Sequence, residues 1–141
     1  MHITEEQQAL ADKYARKEEE NGNVSLQTRT IRYKFSSQFL NLRMLSLKLE
    51  FYVLGEEPRK DLLFIERYYF KDRLLSNFEF QFPFCIGKSK NEVEFVYELP
   101  KFSEDERQEI IKAPFEAQSD SFFFANGSLI IHNKAAYDYS Q

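Results

Sequence analysis

Phe78-Glu79-Phe80-Gln81-Phe82-Pro83-Phe84-Cys85 carries a phenylalanine at every second position. A strand turns successive side chains to opposite faces, so the four rings share one side of a sheet while Glu79, Gln81, Pro83 and Cys85 point to the other. Four such rings overfill a thin core. Either small residues oppose them in an aromatic-rich sandwich core, which is the plainer arrangement, or the rings line a cavity that holds something apolar.

The same period of two runs outward from this stretch. Val93, Phe95, Tyr97 and Leu99 alternate after a loop over 87–91, and Leu62, Phe64, Glu66, Tyr68 and Phe70 share one phase of the preceding strand. Leu45, Leu47, Leu49, Phe51 and Val53 alternate before the 55–58 turn, as do Ile31, Tyr33 and Phe35. Phe39, Leu40 and Leu42 fall out of phase, which predicts a bend or bulge between two strands. Ser103 with Glu106 forms a capping box for a short helix over 104–112, ended by Pro114. Asn126-Gly127 supplies the positive-φ turn of a hairpin joining 121–125 to 128–132. Strands and turns at this spacing predict an all-β sandwich with one inserted helix. Residues 4–20, rich in Glu, Gln, Ala and Lys, predict an N-terminal helix with a weak apolar stripe of Ile3, Leu10 and Tyr14, stopped at Asn21-Gly22-Asn23. The expected organisation is therefore a helical or flexible segment over 1–23 and a β-sandwich domain over 24–141.

Composition narrows the function. The 141 residues are enough for one domain with a real core. A net charge of −4 with scattered basic residues excludes a nucleic-acid footprint. No apolar run is long enough to span a membrane, and the N-terminal stretch has no signal-peptide character. The single cysteine, Cys85, fits a reducing compartment, so a soluble cytoplasmic chain is expected, with Asn23 and Asn126 unglycosylated. His2 and His132 stand far from Cys85 in sequence and make no local zinc spacing; four scattered glycines make no phosphate loop. Glu92, Glu94 and Glu98 read as the solvated face of a strand. The expectation is a binding protein without cofactor or catalytic centre.

Glu66 stands apart, because its phase points it where the apolar rings point. A carboxylate there needs hydrogen-bond donors or an opening. Three arrangements satisfy it: an exposed or twisted strand, an ion pair with Arg67 or Arg73, or a place at the mouth of an apolar cavity where it orients a ligand.

These stretches also carry a resemblance. Arg32-Tyr33-x-Phe35, Ile65-Glu66-Arg67-x-Tyr69-Phe70, Phe82-x-Phe84-Cys85-Ile86, Ser89-Lys90-Asn91, Gln118-Ser119-Asp120-Ser121-Phe122 and His132-Asn133-Lys134-Ala135 resemble, in order over 31–139, the myristoyl-binding "uncoordinated" (Unc) family of proteins similar to the delta subunit of retinal cyclic-GMP phosphodiesterase. The resemblance implies an immunoglobulin-like sandwich enclosing a deep hydrophobic pocket. It implies binding of N-myristoylated proteins, such as G-protein alpha subunits and ciliary cargo, with release by ADP-ribosylation-factor-like GTPases, and it adds the cilium to the cytoplasm as an expected location. It implies lipid-binding roles for Tyr33 and Glu66 at the acyl-glycine end and for Phe39, Phe78, Tyr97 and Phe123 along the pocket. Phe123 replaces a family tyrosine, and Leu99 stands where phenylalanine is frequent, widening the pocket.

Family members have a longer N-terminal region that supplies the first strands, whereas the thirty residues before Ile31 read here as unrelated helix and turn. A shortened or altered gene product, a helix covering the gap, and a partner chain completing the sheet are the three arrangements this leaves. A lipid-independent protein-interaction module, or a functionally impaired variant, is the alternative function.

Overall fold

The computed structural model describes residues 30–141 and, before them, Ala9 alone, which is helical and exposed. The rest of the helix predicted over 4–20, and the boundary at residue 23, lie outside the described residues. Among the described residues alternation produces seven strands: β1 (Thr30–Lys34), β2 (Met44–Val53), β3 (Arg59–Phe70), β4 (Arg73–Cys85), β5 (Ser89–Glu98), β6 (Ala117–Ala125) and β7 (Ser128–Asp138). One helix, α1 (Glu104–Lys112), lies between β5 and β6. The strands form a five-stranded sheet in the order β1-β7-β6-β3-β4 and a two-stranded sheet of β2 and β5. Among the described strands only β1 runs parallel to its neighbour, β7. The chain crosses between sheets after β1, after β2, after β4 and through α1, which makes the all-β, immunoglobulin-like sandwich that the spacing and the resemblance predict.

Local chemistry sets these boundaries. Phe39 and Leu40 leave the strand phase because Ser37–Asn41 is a 3-10 turn, capped by the Ser36 hydroxyl accepting from the Gln38 amide at 3.3 Å. Ser103 Oγ accepts from the Glu106 amide at 3.2 Å and Glu106 Oε2 accepts from the Ser103 amide at 2.8 Å, closing the predicted capping box. Asn126 and Gly127 both have positive φ, as a tight hairpin requires. The loop expected over 87–91 is shorter: β5 already starts at Ser89, and the Lys88 amide donates to the Gly55 carbonyl at 2.8 Å. Gly87 permits that approach, since a Cβ there would lie 1.9 Å from the Glu56 carbonyl oxygen.

The two-stranded sheet separates its faces cleanly. Leu45, Leu47 and Leu49 turn inward, while Lys48–Glu92 and Lys90–Glu50 ion pairs, each at 2.8 Å, cross the solvent side. Glu92, Glu94 and Glu98 are exposed, in keeping with a solvated face.

The phenylalanine ladder meets neither small residues nor an empty wall. Phe80 lies 4.1 Å from Phe95 between ring centroids, Phe78 lies 4.3 Å from Tyr97, and Phe82 meets Phe95 edge-on at 5.5 Å. Among the described residues β4 is an edge strand, and its rings interleave with those of β5 at the corner between the sheets. Tilted and edge-on aromatic pairs fill such a corner without the overpacking that a facing strand would impose. The fourth ring departs from the expected row: Phe84, at the strand end, is 53% exposed.

Candidate functional site

Between the sheets lies a cavity of about 550 Å³, a size typical of small-ligand sites. Its lining is mainly apolar, with Leu45, Leu47 and Leu49 from β2 facing Phe64 and Phe123 of the large sheet. Ile110 of α1 closes one end, packed with Leu40, Phe70, Ala117 and Tyr139. Ile31, Tyr33 and Leu42 line the cavity and are exposed, so it opens to solvent along β1 and the β2 approach.

The polar groups gather at one place on this wall. Glu66, 6% exposed, has Ser121 as its neighbour on β6, and Ser121 Oγ donates to Glu66 Oε2 at 2.5 Å. The Tyr68 and Tyr97 hydroxyls bridge the two sheets at 3.2 Å. Ser119 Oγ and the Tyr137 hydroxyl lie 2.8 Å apart. Tyr33 stacks on Tyr137 at 5.7 Å, placing the ring of an exposed edge strand beside this polar cluster. Burial pushes the Glu66 carboxyl up to about 7, partly offset by its hydrogen bonds to Ser121 and Tyr68. Burial likewise pushes Tyr137 up to about 12 and raises Tyr68 and Tyr97. The phenols therefore stay protonated near neutrality, as donors or acceptors of hydrogen bonds, and Glu66 alone changes charge there.

The ion-pair arrangement considered for Glu66 does not occur. Arg67 projects from the opposite face of β3, where its Nε donates to Asn77 Oδ1 at 3.3 Å, and Arg73 pairs with Glu106 at 3.1 Å. The strand phase also breaks sooner than alternation suggests. A register shift between Tyr68 and Tyr69 brings both tyrosines to the lining and sends Phe70 into the cluster around Ile110.

Of the residues singled out in the sequence, Tyr33, Phe39, Glu66, Tyr97, Leu99 and Phe123 border the cavity. Phe78 does not. It packs against Tyr97 and Tyr68, at 4.3 and 6.2 Å, and so supports two lining rings from behind. Pattern reasoning passed over Ser121, Ser119 and Tyr137. The signal for the two serines was present in the Gln118-Ser119-Asp120-Ser121 stretch, where they share the phase that turns toward Glu66.

An apolar cavity with one buried polar cluster, enclosed by this sandwich, defines the class of protein. A family model described as GMP-PDE, delta subunit, matches residues 2–139, and the chain belongs to that family. Within it the chain is similar to protein unc-119 homolog B of Homo sapiens, 43% identical over 132 residues, which are 93% of this chain and 52% of that protein. It is also similar to the unc-119 homolog of Drosophila melanogaster, 47% identical over 111 residues (79% and 42%), and to unc-119 of Caenorhabditis elegans, 43% identical over 111 residues (79% and 50%). The chain spans about half the length of the relatives it matches. The family match begins at residue 2, which corrects the expectation that the first thirty residues are unrelated to the family.

Proposed function

We propose that this chain is a carrier that shields the acyl chain of N-myristoylated, acyl-glycine proteins from water. The observation that carries this reading is the cavity itself: long apolar walls with the polar atoms collected around Glu66. An acyl chain fits the walls, and the amide N–H groups at the acyl-glycine end find acceptors in Glu66 and the tyrosine hydroxyls. Myristate buries about a dozen methylenes at ~0.8 kcal/mol each, so the gain is on the order of 10 kcal/mol before ordering costs. A single myristoyl chain holds only marginally to a bilayer, so a site of this kind competes with the membrane for it. Glycine next to the lipid brings no side chain to obstruct the opening.

In this reading Tyr33 and Glu66 hold the acyl-glycine end, while Phe39, Tyr97, Leu99 and Phe123 contact the chain and Phe78 backs Tyr97. The cargo is drawn from G-protein alpha subunits and ciliary proteins, in the cytoplasm and the cilium, and an ADP-ribosylation-factor-like GTPase releases it. These assignments follow from the family resemblance. Native mass spectrometry of the chain mixed with a myristoyl-glycine peptide tests the reading. A one-to-one complex that the non-acylated peptide does not form supports it; equal complexes with both peptides contradict it.

A second reading has its own observation. Among the described residues β2 pairs only with β5, so β2 presents a free edge of ten residues that suits addition of a partner strand without lipid. Binding of both peptides alike, or a defined lipid-independent oligomer, would favour that interaction module.

A further inference from the structure

The hydroxyls on the polar wall of the cavity all direct their protons one way. Ser121 Oγ donates to Glu66 Oε2 at 2.5 Å, and the Tyr68 and Ser119 hydroxyls also hydrogen-bond to this carboxyl. A hydroxyl has one proton to give. Tyr68, having given its own to Glu66, accepts from Tyr97 at 3.2 Å, and Ser119 in the same way accepts from Tyr137 at 2.8 Å. With Glu66 ionised, these five hydroxyls have no proton left for a ligand. The cluster offers lone pairs and a negative charge.

The charges around it point the same way. Asp120, on β6 next to Ser119 and Ser121, adds negative potential at Glu66. The ammonium of Lys134, which borders the cavity, is held by Asp120 at 3.4 Å. Arg67 and Arg73 are engaged with Asn77 and Glu106. The remaining strands bring Phe78 from β4, opposite Glu66 in register, Leu45 and Leu47 from β2, and the phenol of Tyr33 from β1.

We infer that Glu66 and the hydroxyls aimed at it select the head group of the ligand, accepting an acyl amide and refusing a free fatty acid. This rests on the carrier reading and adds to it what the site rejects. An acyl-glycine unit presents amide N–H groups, which the carboxylate and the hydroxyl lone pairs accept. An ionised fatty acid presents acceptors only, and two carboxylates at close range do not both stay ionised. Discrimination of this kind comes from the repelled competitor as much as from the bound ligand. Glu66 is also the group in the cluster that changes charge near neutrality. Once protonated it has a proton to donate, and the barrier to a fatty-acid carboxylate falls.

The test compares myristoyl-glycine N-methylamide with myristate, both below micellar concentration, by calorimetric titration of the full chain at pH 8.5 and pH 5.5. At pH 8.5 the amide should bind at least about tenfold tighter than myristate. At pH 5.5, and in Glu66→Gln at pH 8.5, the preference should shrink to within about threefold. Equal binding of the two ligands by the parent at pH 8.5 would overturn the inference and leave the carrier reading standing. A preference that persists in full at pH 5.5 or in Glu66→Gln overturns it as well. The pH comparison uses the parent alone, so it decides the matter even where the variant does not fold. Binding of neither ligand at either pH contradicts the carrier reading itself, and the inference with it.

Discussion

Ser121 Oγ donates a 2.5 Å hydrogen bond to Glu66 Oε2 across the β3–β6 pair, and this bond holds a carboxyl in an otherwise apolar wall. The bond favours the ionised form, yet burial prevails and the carboxyl titrates at about 7 rather than near 4.5. A carboxyl whose pKa is raised on folding keeps its proton more tightly in the folded state, so folding weakens as pH rises from about 4.5 through about 7. The full cost above that window is on the order of 3 kcal/mol. Urea unfolding at pH 5 and pH 8 should show Glu66→Gln losing this slope and exceeding the parent in stability at pH 8. Parallel pH dependences in the two proteins would contradict the account.

Tyr97 and Phe78 touch each other but play different parts, because only Tyr97 borders the cavity. Tyr97→Asp puts a charge among apolar walls beside Glu66 and should weaken acyl-peptide binding at least tenfold, read by fluorescence titration. Phe78→Leu should cost about 1–3 kcal/mol of stability and leave affinity within about twofold. If Phe78→Leu weakens binding as much as Tyr97→Asp, the two-layer description fails.

Gly87 sits where the β4–β5 turn presses on the β2–β3 turn. A methyl group there would lie 1.9 Å from the Glu56 carbonyl oxygen and 2.9 Å from that of Gly55. Gly87→Ala must push the two turns apart and should destabilise the sandwich by about 1–3 kcal/mol, visible as a lower urea midpoint. A neutral outcome would mean that the turns do not meet as described.

The capping box of α1 holds the helix whose Ile110 closes one end of the cavity. Ser103→Ala removes the hydroxyl that accepts from the Glu106 amide and should cost about 1 kcal/mol. Ser103→Asp should restore most of it, and circular dichroism with urea unfolding checks both.

Much of this fold could be read from side-chain period alone. Alternation located β1 to β5 and the Ser103–Glu106 pair located α1, while Asn126-Gly127 located the hairpin, whose arms run further than the expected 121–125 and 128–132, to Ala117–Ala125 and Ser128–Asp138. Three things escaped because they depend on distant partners. The register shift after Tyr68 arises from pairing with β4, which β3 alone does not encode. Phe78 leaves the lining because β4 is an edge strand whose rings turn to a corner. The buried outer face was hidden because Leu63, Ile65, Phe122 and Phe124 alternate with inward Phe64 and Phe123, so over these stretches of β3 and β6 both faces are apolar. Glu66 was legible as an anomaly, but its partner was not: arginine neighbours in sequence suggested an ion pair, and the donor is a serine on another strand.

Titration of the full chain with a fluorescent myristoyl-glycine peptide, beside the same peptide without the acyl group, tests the central claim most directly. A carrier predicts saturable one-to-one binding of the acylated peptide that is lost in Tyr97→Asp and absent for the bare peptide. Binding of the acylated peptide no tighter than that of the bare one would contradict it.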